Sequence, residues 1–377
     1  MKNKNIKILH ISTNKNGGVG TVVKSLCNYF KDSLSAILYK ESMKKLSIYK
    51  QYKQLNNEIK ILLNKVDILH FHGSWAPHIF ILRKKQPKPT LVSPHGALHK
   101  ISLKKSQFKK FIAKQLYVKK TYLNANCIHA LTMQEVNDIY NFGIKNIPIA
   151  VIPNGIDFDE KLEIDDKTKN KLLEVAQNRT IILSLSRLDP LKGIDMLIES
   201  FDKVLINNSN VILFIVGDGS NIYKNKLQEK IKKLNLTNNI FLLGEMTGIY
   251  KNTVYDIADL FILPSYNEGF GLTVIEAYRQ MTPVITTTAT PFEEISDNDI
   301  GWYVEPTCGE VTNALENATK LEKSELSSMG KKGFNLMKKR YSSDIVNHKM
   351  NTLYSWLISG GKRPDFIIKD YGESELI

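Results

Sequence analysis

The sequence predicts an α/β protein made of two Rossmann-like domains. Three observations carry that prediction. Short apolar runs alternate with longer amphipathic segments along nearly the whole chain, the pattern of parallel sheets joined by crossover helices. The runs fall into two sets of about six, enough for two doubly wound sheets. At 377 residues the chain is longer than one core accommodates, which is about 250–300 residues.

In the first half the strand candidates are residues 6–12, 34–39, 67–72, 90–94, 127–131 and 148–152. In the second half they are 180–186, 211–216, 239–243, 260–263, 283–287 and 301–304. Each is a short apolar run bounded by turn or charged residues, as a strand buried on both faces should be. Helical patterns fill most of the gaps. Asn154-Gly155 is a turn signal after the run ending at Ile152-Pro153, and Asp157 through Lys171 is polar and charge-dense. The expected organisation is an N-terminal domain over 1–160 and a C-terminal domain over 161–342. A last helix at about 343–358 is free to pack back on the N-terminal domain, and an aperiodic tail covers 360–377.

Composition narrows the class. With 42% hydrophobic and 24% charged residues the chain is an ordinary globular one. No run of about 18 apolar residues exists, so no transmembrane helix is expected. The apolar run Ile6 to Ile11 is too short for a signal-peptide core and reads as a first buried strand of a cytoplasmic protein. Cys27, Cys127 and Cys308 lie too far apart for a zinc or disulfide pattern. A formal net charge of +14 favours an anionic partner: nucleic acid, an acidic membrane surface or a phosphorylated substrate. No nucleic-acid module is recognisable, and the lysines are not interleaved with an aromatic platform.

The densest chemistry lies in Asn267-Glu268-Gly269-Phe270-Gly271-Leu272-Thr273-Val274-Ile275-Glu276-Ala277. Glu268 falls in a Gly-rich turn and Glu276 in a helical run; their spacing is a little over two helical turns, so both carboxylates can face one side. Gly269 and Gly271 allow close backbone approach, and a helix start offers free N–H groups to an anion. Upstream, strand 180–186 ends in Arg187, and Lys192 follows in the loop opening the next helix. Ligands of doubly wound sheets bind beyond the carboxyl ends of strands. Two cations there could neutralise a diphosphate; taken alone they are equally well solvated surface charges. Gly217 follows strand 211–216 and Glu245 follows strand 239–243, each at a turn that either only reverses the chain or meets a nucleotide.

In the first half Asn16-Gly17-Gly18-Val19-Gly20-Thr21 follows the first strand and opens a helix, a setting for phosphate or acceptor. It lacks the Walker lysine and the spacing of the dinucleotide fingerprint. His70 and His72 share one strand face, and His95 sits in Pro94-His95-Gly96-Ala97. Their spacing, without further carboxylates, does not suggest a metal. Residues 100–120 mix lysines with apolar residues at helical intervals. That segment fits an anionic membrane surface, or an ordinary helix with a solvated lysine face. Asp157-Phe158-Asp159 looks like a metal-binding acid pair but stands at the domain junction rather than at a donor-site strand end.

Arg187, Lys192, Glu268 and Glu276, in this order and setting, resemble the retaining glycosyltransferases of family 4. The resemblance is strong over the C-terminal half and looser over the N-terminal half. It implies the GT-B fold, two Rossmann-like domains facing across a cleft. It implies that Arg187 and Lys192 hold the donor's phosphates, Glu276 the ribose and Glu268 the donor sugar. Amides around Phe270, Gly271 and Leu272 would add to phosphate or sugar binding; Gly269, and Gly217 and Glu245 at their strand-end turns, are further donor-binding candidates. Gly18 would face the diphosphate, and His95 would lie near the donor sugar. No metal and no cofactor is implied. The expected activity is transfer of a hexose from a nucleotide-diphosphate sugar, UDP-linked rather than GDP-linked, to a saccharide or lipid-linked saccharide. The expected setting is cell-surface polysaccharide or lipopolysaccharide synthesis, at the inner face of the membrane. The rival readings are a catalytically silent nucleotide-sugar binder and, on charge alone, a nucleic-acid-binding protein.

Overall fold

The computed structural model describes residues 6–12, 17–30, 34–37, 48–75, 77–100, 102 and 118–368. The chain divides into two compact units, Met1–Gly155 with Ser343–Ile377, and Ile156–Ser342.

The first unit is built on strands β1 (Ile8–Ser12), β2 (Leu34–Ile37), β3 (Ile68–His72), β4 (Thr90–Ser93), β5 (Cys127–Ala130), β6 (Ile149–Val151) and β13 (Ile367–Ile368). Their order across the sheet is β13-β6-β5-β4-β3-β1-β2. Strands β1 to β6 pair in parallel, and every residue of β1, β3, β4 and β5 is buried. A parallel sheet needs crossovers on its faces, which is why these strands read as continuous apolar runs rather than alternating ones. Leu9, Leu69, Phe71, Val92 and Ile128 bury one face against Ile59, Tyr122, Val136 and Ile139. The residues of opposite parity, Ile8, Ile68, Leu91 and Cys127, meet Leu26 and Phe30 together with Val346, Met350, Leu353 and Tyr354 of the helix Ser343–Ser359. The aperiodic C-terminal segment supplies β13, an edge strand antiparallel to β6. Two residues are too few to show a period, so pattern reading passes over it.

The second unit holds β7 (Thr180–Leu185), β8 (Val211–Val216), β9 (Ile240–Gly244), β10 (Leu260–Leu263), β11 (Val284–Thr287) and β12 (Gly301–Val304). All pair in parallel, in the order β12-β11-β10-β7-β8-β9. Counted within the unit this is 3-2-1-4-5-6, the dinucleotide-binding order, and its switch point lies between β7 and β10. Ile182, Leu213, Ile215 and Ile262 bury one face of the sheet against Leu197, Phe201 and Leu227. Each strand candidate of the sequence overlaps one of β1 to β12, and among the described residues the ends agree within a residue or two. Among the described residues no helix is long and apolar enough to cross a membrane.

Candidate functional site

In the second unit the site forms at the switch point. Strand β7 is followed by a turn in which Asp189 Oδ1 accepts from the Leu191 amide, and the single 3-10 turn Pro190–Lys192 ends at Gly193. Gly193 has φ +67°, and a β-carbon built on it would lie 2.1 Å from the Pro264 carbonyl oxygen. Only glycine lets the loop after β7 lie this close to the loop after β10. The Tyr266 amide donates to the Leu191 carbonyl at 2.9 Å, locking the two loops together.

Lys192 Nζ consequently meets Glu268 Oε2 at 2.6 Å, and Ser265 Oγ donates to the same oxygen at 3.2 Å. The two charged side chains are only 12% and 16% exposed, so solvent screens the pair weakly. Arg187 is exposed, and among the described residues its guanidinium has no partner. The pair and the free cation make a positive strand-end site whose ammonium is held in place by a carboxylate. A second glycine lies against the end of the loop after β7. Gly217, at φ +147°, has no room for a β-carbon, which would fall 1.8 Å from the Ser186 carbonyl oxygen. Glu245, just past β9, is exposed.

The helix after β10 starts at Leu272, so Glu268 lies in the preceding loop and only Glu276 is helical. The eight-residue separation therefore spans a loop and one turn, and the loop conformation, not helical period, places Glu268. Phe270 is buried edge-on against Phe292 and Tyr341 at 5.4 and 5.9 Å between ring centroids, anchoring that loop. Its side chain belongs to the core. Gly269 is exposed, and no side chain caps the helix at Gly271. Glu276 Oε1 pairs with Lys251 Nζ at 2.6 Å, and Tyr255 donates to Oε2 at 3.2 Å. Burial, and then the neighbouring carboxylate, push the Tyr255 hydroxyl well above its ordinary pKa, so it stays a donor. Neither Lys251 nor Tyr255 carries a recognisable signal in the sequence; the crossover that brings their helix, Ile249–Asp256, beside Glu276 is tertiary.

Asp157 and Asp159 are occupied by turn chemistry. Asp157 Oδ1 accepts from the amides of Asp159 and Glu160, and Asp159 is paired with Lys338.

In the first unit the parallel pairing of β1, β3, β4 and β5 brings together five histidines. One chain of hydrogen bonds has a settled direction. His129 Nε2 must donate to the Ile152 carbonyl at 2.7 Å, so its Nδ1 accepts from Ser93 Oγ at 2.8 Å. Ser93 then accepts from His70 Nε2 at 2.7 Å, and His70 Nδ1 accepts from the Tyr354 hydroxyl at 2.8 Å. Burial lowers the pKa of His129 to about 4 and that of His70 far below the ordinary range, so both rings are neutral as this chain requires. A second chain runs from His10 Nδ1 to His72 Nε2 at 3.1 Å and from His72 Nδ1 to His95 Nε2 at 3.0 Å. Among the described residues His10, His70 and His72 place ring nitrogens within 4.8 Å of one another, a spacing a metal accepts. Both nitrogens of His70 and both of His72 are already engaged in these hydrogen bonds, so this donor set is committed to the protein.

His95 is half-buried at the end of β4 and has φ +55°. Glu135, which the sequence reading does not single out, reaches its turn: Oε1 accepts from the Gly96 amide at 2.6 Å and Oε2 from the Leu131 amide at 2.8 Å. Burial raises its carboxyl to about 7, against the pull of those two amides. Gly18 is exposed in the first turn of the helix Gly17–Tyr29. Most of the basic segment 100–120 lies outside the described residues.

Comparison with known proteins gives the family and the fold. Residues 165–335 match the family model "Glycosyl transferases group 1", and residues 37–160 match "Glycosyltransferase Family 4". The mannosylfructose-phosphate synthase of Agrobacterium fabrum is 27% identical over 234 residues, 60% of this chain, and the chain spans only 50% of that relative's length. The UDP-Gal:alpha-D-GlcNAc-diphosphoundecaprenol alpha-1,3-galactosyltransferase of Escherichia coli is 26% identical over 332 residues, 85% of this chain and 82% of that relative. Among solved structures, HepE of Anabaena in complex with UDP-glucose superposes with a TM-score of 0.73 at 20% identity, covering 93% of this chain and 100% of that one. At such identity the likeness is one of fold, and the fold is GT-B.

Proposed function

Because the chain belongs to the family 4-type glycosyltransferases, we propose that it is a retaining hexosyltransferase acting on a UDP-linked donor without a metal. The observation that carries this reading is the Lys192–Glu268 pair at the switch point, with Arg187 exposed five residues before Lys192 at the end of β7. Arg187 supplies the uncommitted positive charge for the donor's diphosphate. Lys192, oriented by Glu268, supplies the second. Glu276 takes the ribose hydroxyls, aided by Lys251 and Tyr255. Gly217, Glu245 and the backbone of residues 269–272 line the rest of the donor site. In this reading Gly18 serves the diphosphate and His95 the donor sugar.

In the transfer, the bond from the anomeric carbon to the diphosphate oxygen breaks while the acceptor hydroxyl forms its bond on the same face. The hydroxyl proton passes to a leaving phosphate oxygen, and no side-chain base is required. Fixed positive charges lower the barrier by stabilising the departing diphosphate in the way a metal would. The acceptor is a saccharide or lipid-linked saccharide of cell-surface polysaccharide or lipopolysaccharide synthesis. Support comes from a relative that works on a diphosphoundecaprenol-linked sugar and from the +14 charge. Residues 100–120 would hold the enzyme to the inner, anionic face of the membrane.

The test is a thermal-shift panel of UDP, GDP, ADP and their hexoses, followed by turnover of the stabilising donor in EDTA. A ligand at 100 times its Kd raises stability by about 2.7 kcal/mol. Selective stabilisation by UDP species and turnover in chelator are expected. Turnover that returns only with magnesium or manganese overturns metal independence, and loss of donor binding in Glu276→Ala is the check on the ribose contact.

A further inference from the structure

His95 is fastened from two directions, and both fastenings use groups that no local requirement explains. Thr132-Met133-Gln134-Glu135 has the form of a helix capping box, and Thr132 does cap the helix by accepting from the Glu135 amide at 3.0 Å. In such a box the acid turns back to the amide of the capping residue. Glu135 instead sends one oxygen to the Leu131 amide and the other 39 residues back along the chain, to Gly96 at the end of β4. It is 3% exposed. Burying a carboxylate is costly, and capping a helix needs no such burial.

The turn that Glu135 holds is itself strained. His95 and Gly96 both have left-handed backbones, at φ +55° and +73°. For a histidine that conformation is strained and persists only where its surroundings enforce it. On the ring side, His95 Nε2 meets His72 Nδ1, and the two rings stack 5.3 Å apart at 14°. His72 leans in turn on His10, whose buried Nε2 has no partner among the described residues. A proton on that atom would be a buried donor without an acceptor, whereas a bare lone pair is the lesser loss. The favoured direction is therefore His10 Nδ1–H to His72 Nε2, then His72 Nδ1–H to His95 Nε2. His95 is left with its own proton on Nδ1.

We propose that Glu135 and His72 are positioning residues for His95, Glu135 fixing the backbone of its turn and His72 fixing the orientation and tautomer of its ring. The proposal rests on the reading that His95 borders the donor sugar, and it deepens that reading.

The test begins with the full chain labelled with 15N-histidine, in which long-range proton–nitrogen correlations report the tautomer of each ring. His95 is assigned by the signal lost in His95→Gln. In the native chain it should show a single tautomer protonated on Nδ1. In Glu135→Gln, where the amide group can accept only one of the two N–H bonds, and in His72→Gln, the two His95 nitrogens should move toward an exchange average. The His70 and His129 signals should stay in place, showing that the fold survives. A single unchanged His95 tautomer in both variants overturns the proposal, as does protonation of His95 on Nε2 in the native chain.

A kinetic arm separates this failure from failure of the underlying reading. With UDP-glucose as probe, nucleotide release by Glu135→Gln should lose about tenfold or more in kcat with KM within about twofold, the pattern of misplacement rather than lost binding. In a His95→Ala background the same change should cost nothing further. Full additivity overturns the positioning role. A His95→Ala variant with native kcat overturns instead the placement of His95 at the donor.

Discussion

Lys192 Nζ lies 2.6 Å from Glu268 Oε2, although the two residues are 76 positions apart in the chain. Strand order creates the contact: β7 and β10 are neighbours in the sheet, so the loops leaving them meet. The ammonium is held by a carboxylate, and its position is set by Glu268, Ser265 and the glycine behind it.

The first prediction concerns that pair. Lys192→Met leaves Glu268 largely buried without its counter-ion, and should destabilise the second unit by about 1–3 kcal/mol. Lys192→Met with Glu268→Gln should recover most of that loss yet remain inactive. Urea unfolding across the double-mutant cycle measures a coupling of about 0.5–3 kcal/mol; strict additivity would remove the pair from any structural role.

Arg187 should behave in the opposite way. Exposed, and without a partner among the described residues, it contributes little to folding, and Arg187→Ala should leave stability within about 0.5 kcal/mol. If it binds the diphosphate, a lost charged hydrogen bond of about 1.5–3 kcal/mol lowers kcat/KM by about 10- to 150-fold. Native turnover in this variant would exclude it from the site.

At Gly193 both backbone and space forbid a side chain. Gly193→Ala should cost about 2–4 kcal/mol, from left-handed strain and from collision with the Pro264 carbonyl. Denaturation midpoints give the size. A variant as stable as the native chain would mean that the two loops are not locked as described.

Acid should unfold the first unit through its histidines. In the unfolded chain each imidazole titrates near 6.5. In the fold burial lowers His10 to about 3 and His129 to about 4, and holds His70 and His72 far below the usual range. The unfolded state thus binds protons that the folded state refuses. Stability is full above pH 6.5 and falls as pH drops below it, by about 1.4 kcal/mol per pH unit for each group. Glu135 opposes this, since its raised pKa makes it lose stability as pH rises from 4.5 toward 7, and burial raises Asp138 in the same sense, but these two acids stand against five histidines, His95 being lowered to about 3 as well. Urea midpoints from pH 7.5 to 4.5 should fall steeply, and His129→Gln should reduce the slope by about one proton. A flat profile would contradict the neutral cluster.

Much of the fold was legible because each sheet is buried on both faces. Val211–Val216 is six apolar residues between polar ends, and nothing but a buried strand suits it. Ile367–Ile368 has the same chemistry but only two residues, so its place beside β6 left no trace in the sequence. At the candidate site the residue types were legible and their partners were not. Glu276 stands out by its spacing from Glu268, but Lys251 and Tyr255, which hold it, come from a helix whose sequence is ordinary. Glu135 carries a capping signature that conceals its longer reach to Gly96.

By itself, then, the order of residues along this chain determined which segments become strands and which charged groups stand at their carboxyl ends, because burial and turn chemistry act on neighbours in sequence. The tertiary structure alone decided that β7 lies beside β10 and β1 beside β3. From that come the ion pair of Lys192 with Glu268 and the line of histidines from His10 to His95. The physical reason is that strand pairing and crossover packing join segments with no local energetic link, so hydrogen-bond partners across them are settled only when the whole sheet closes.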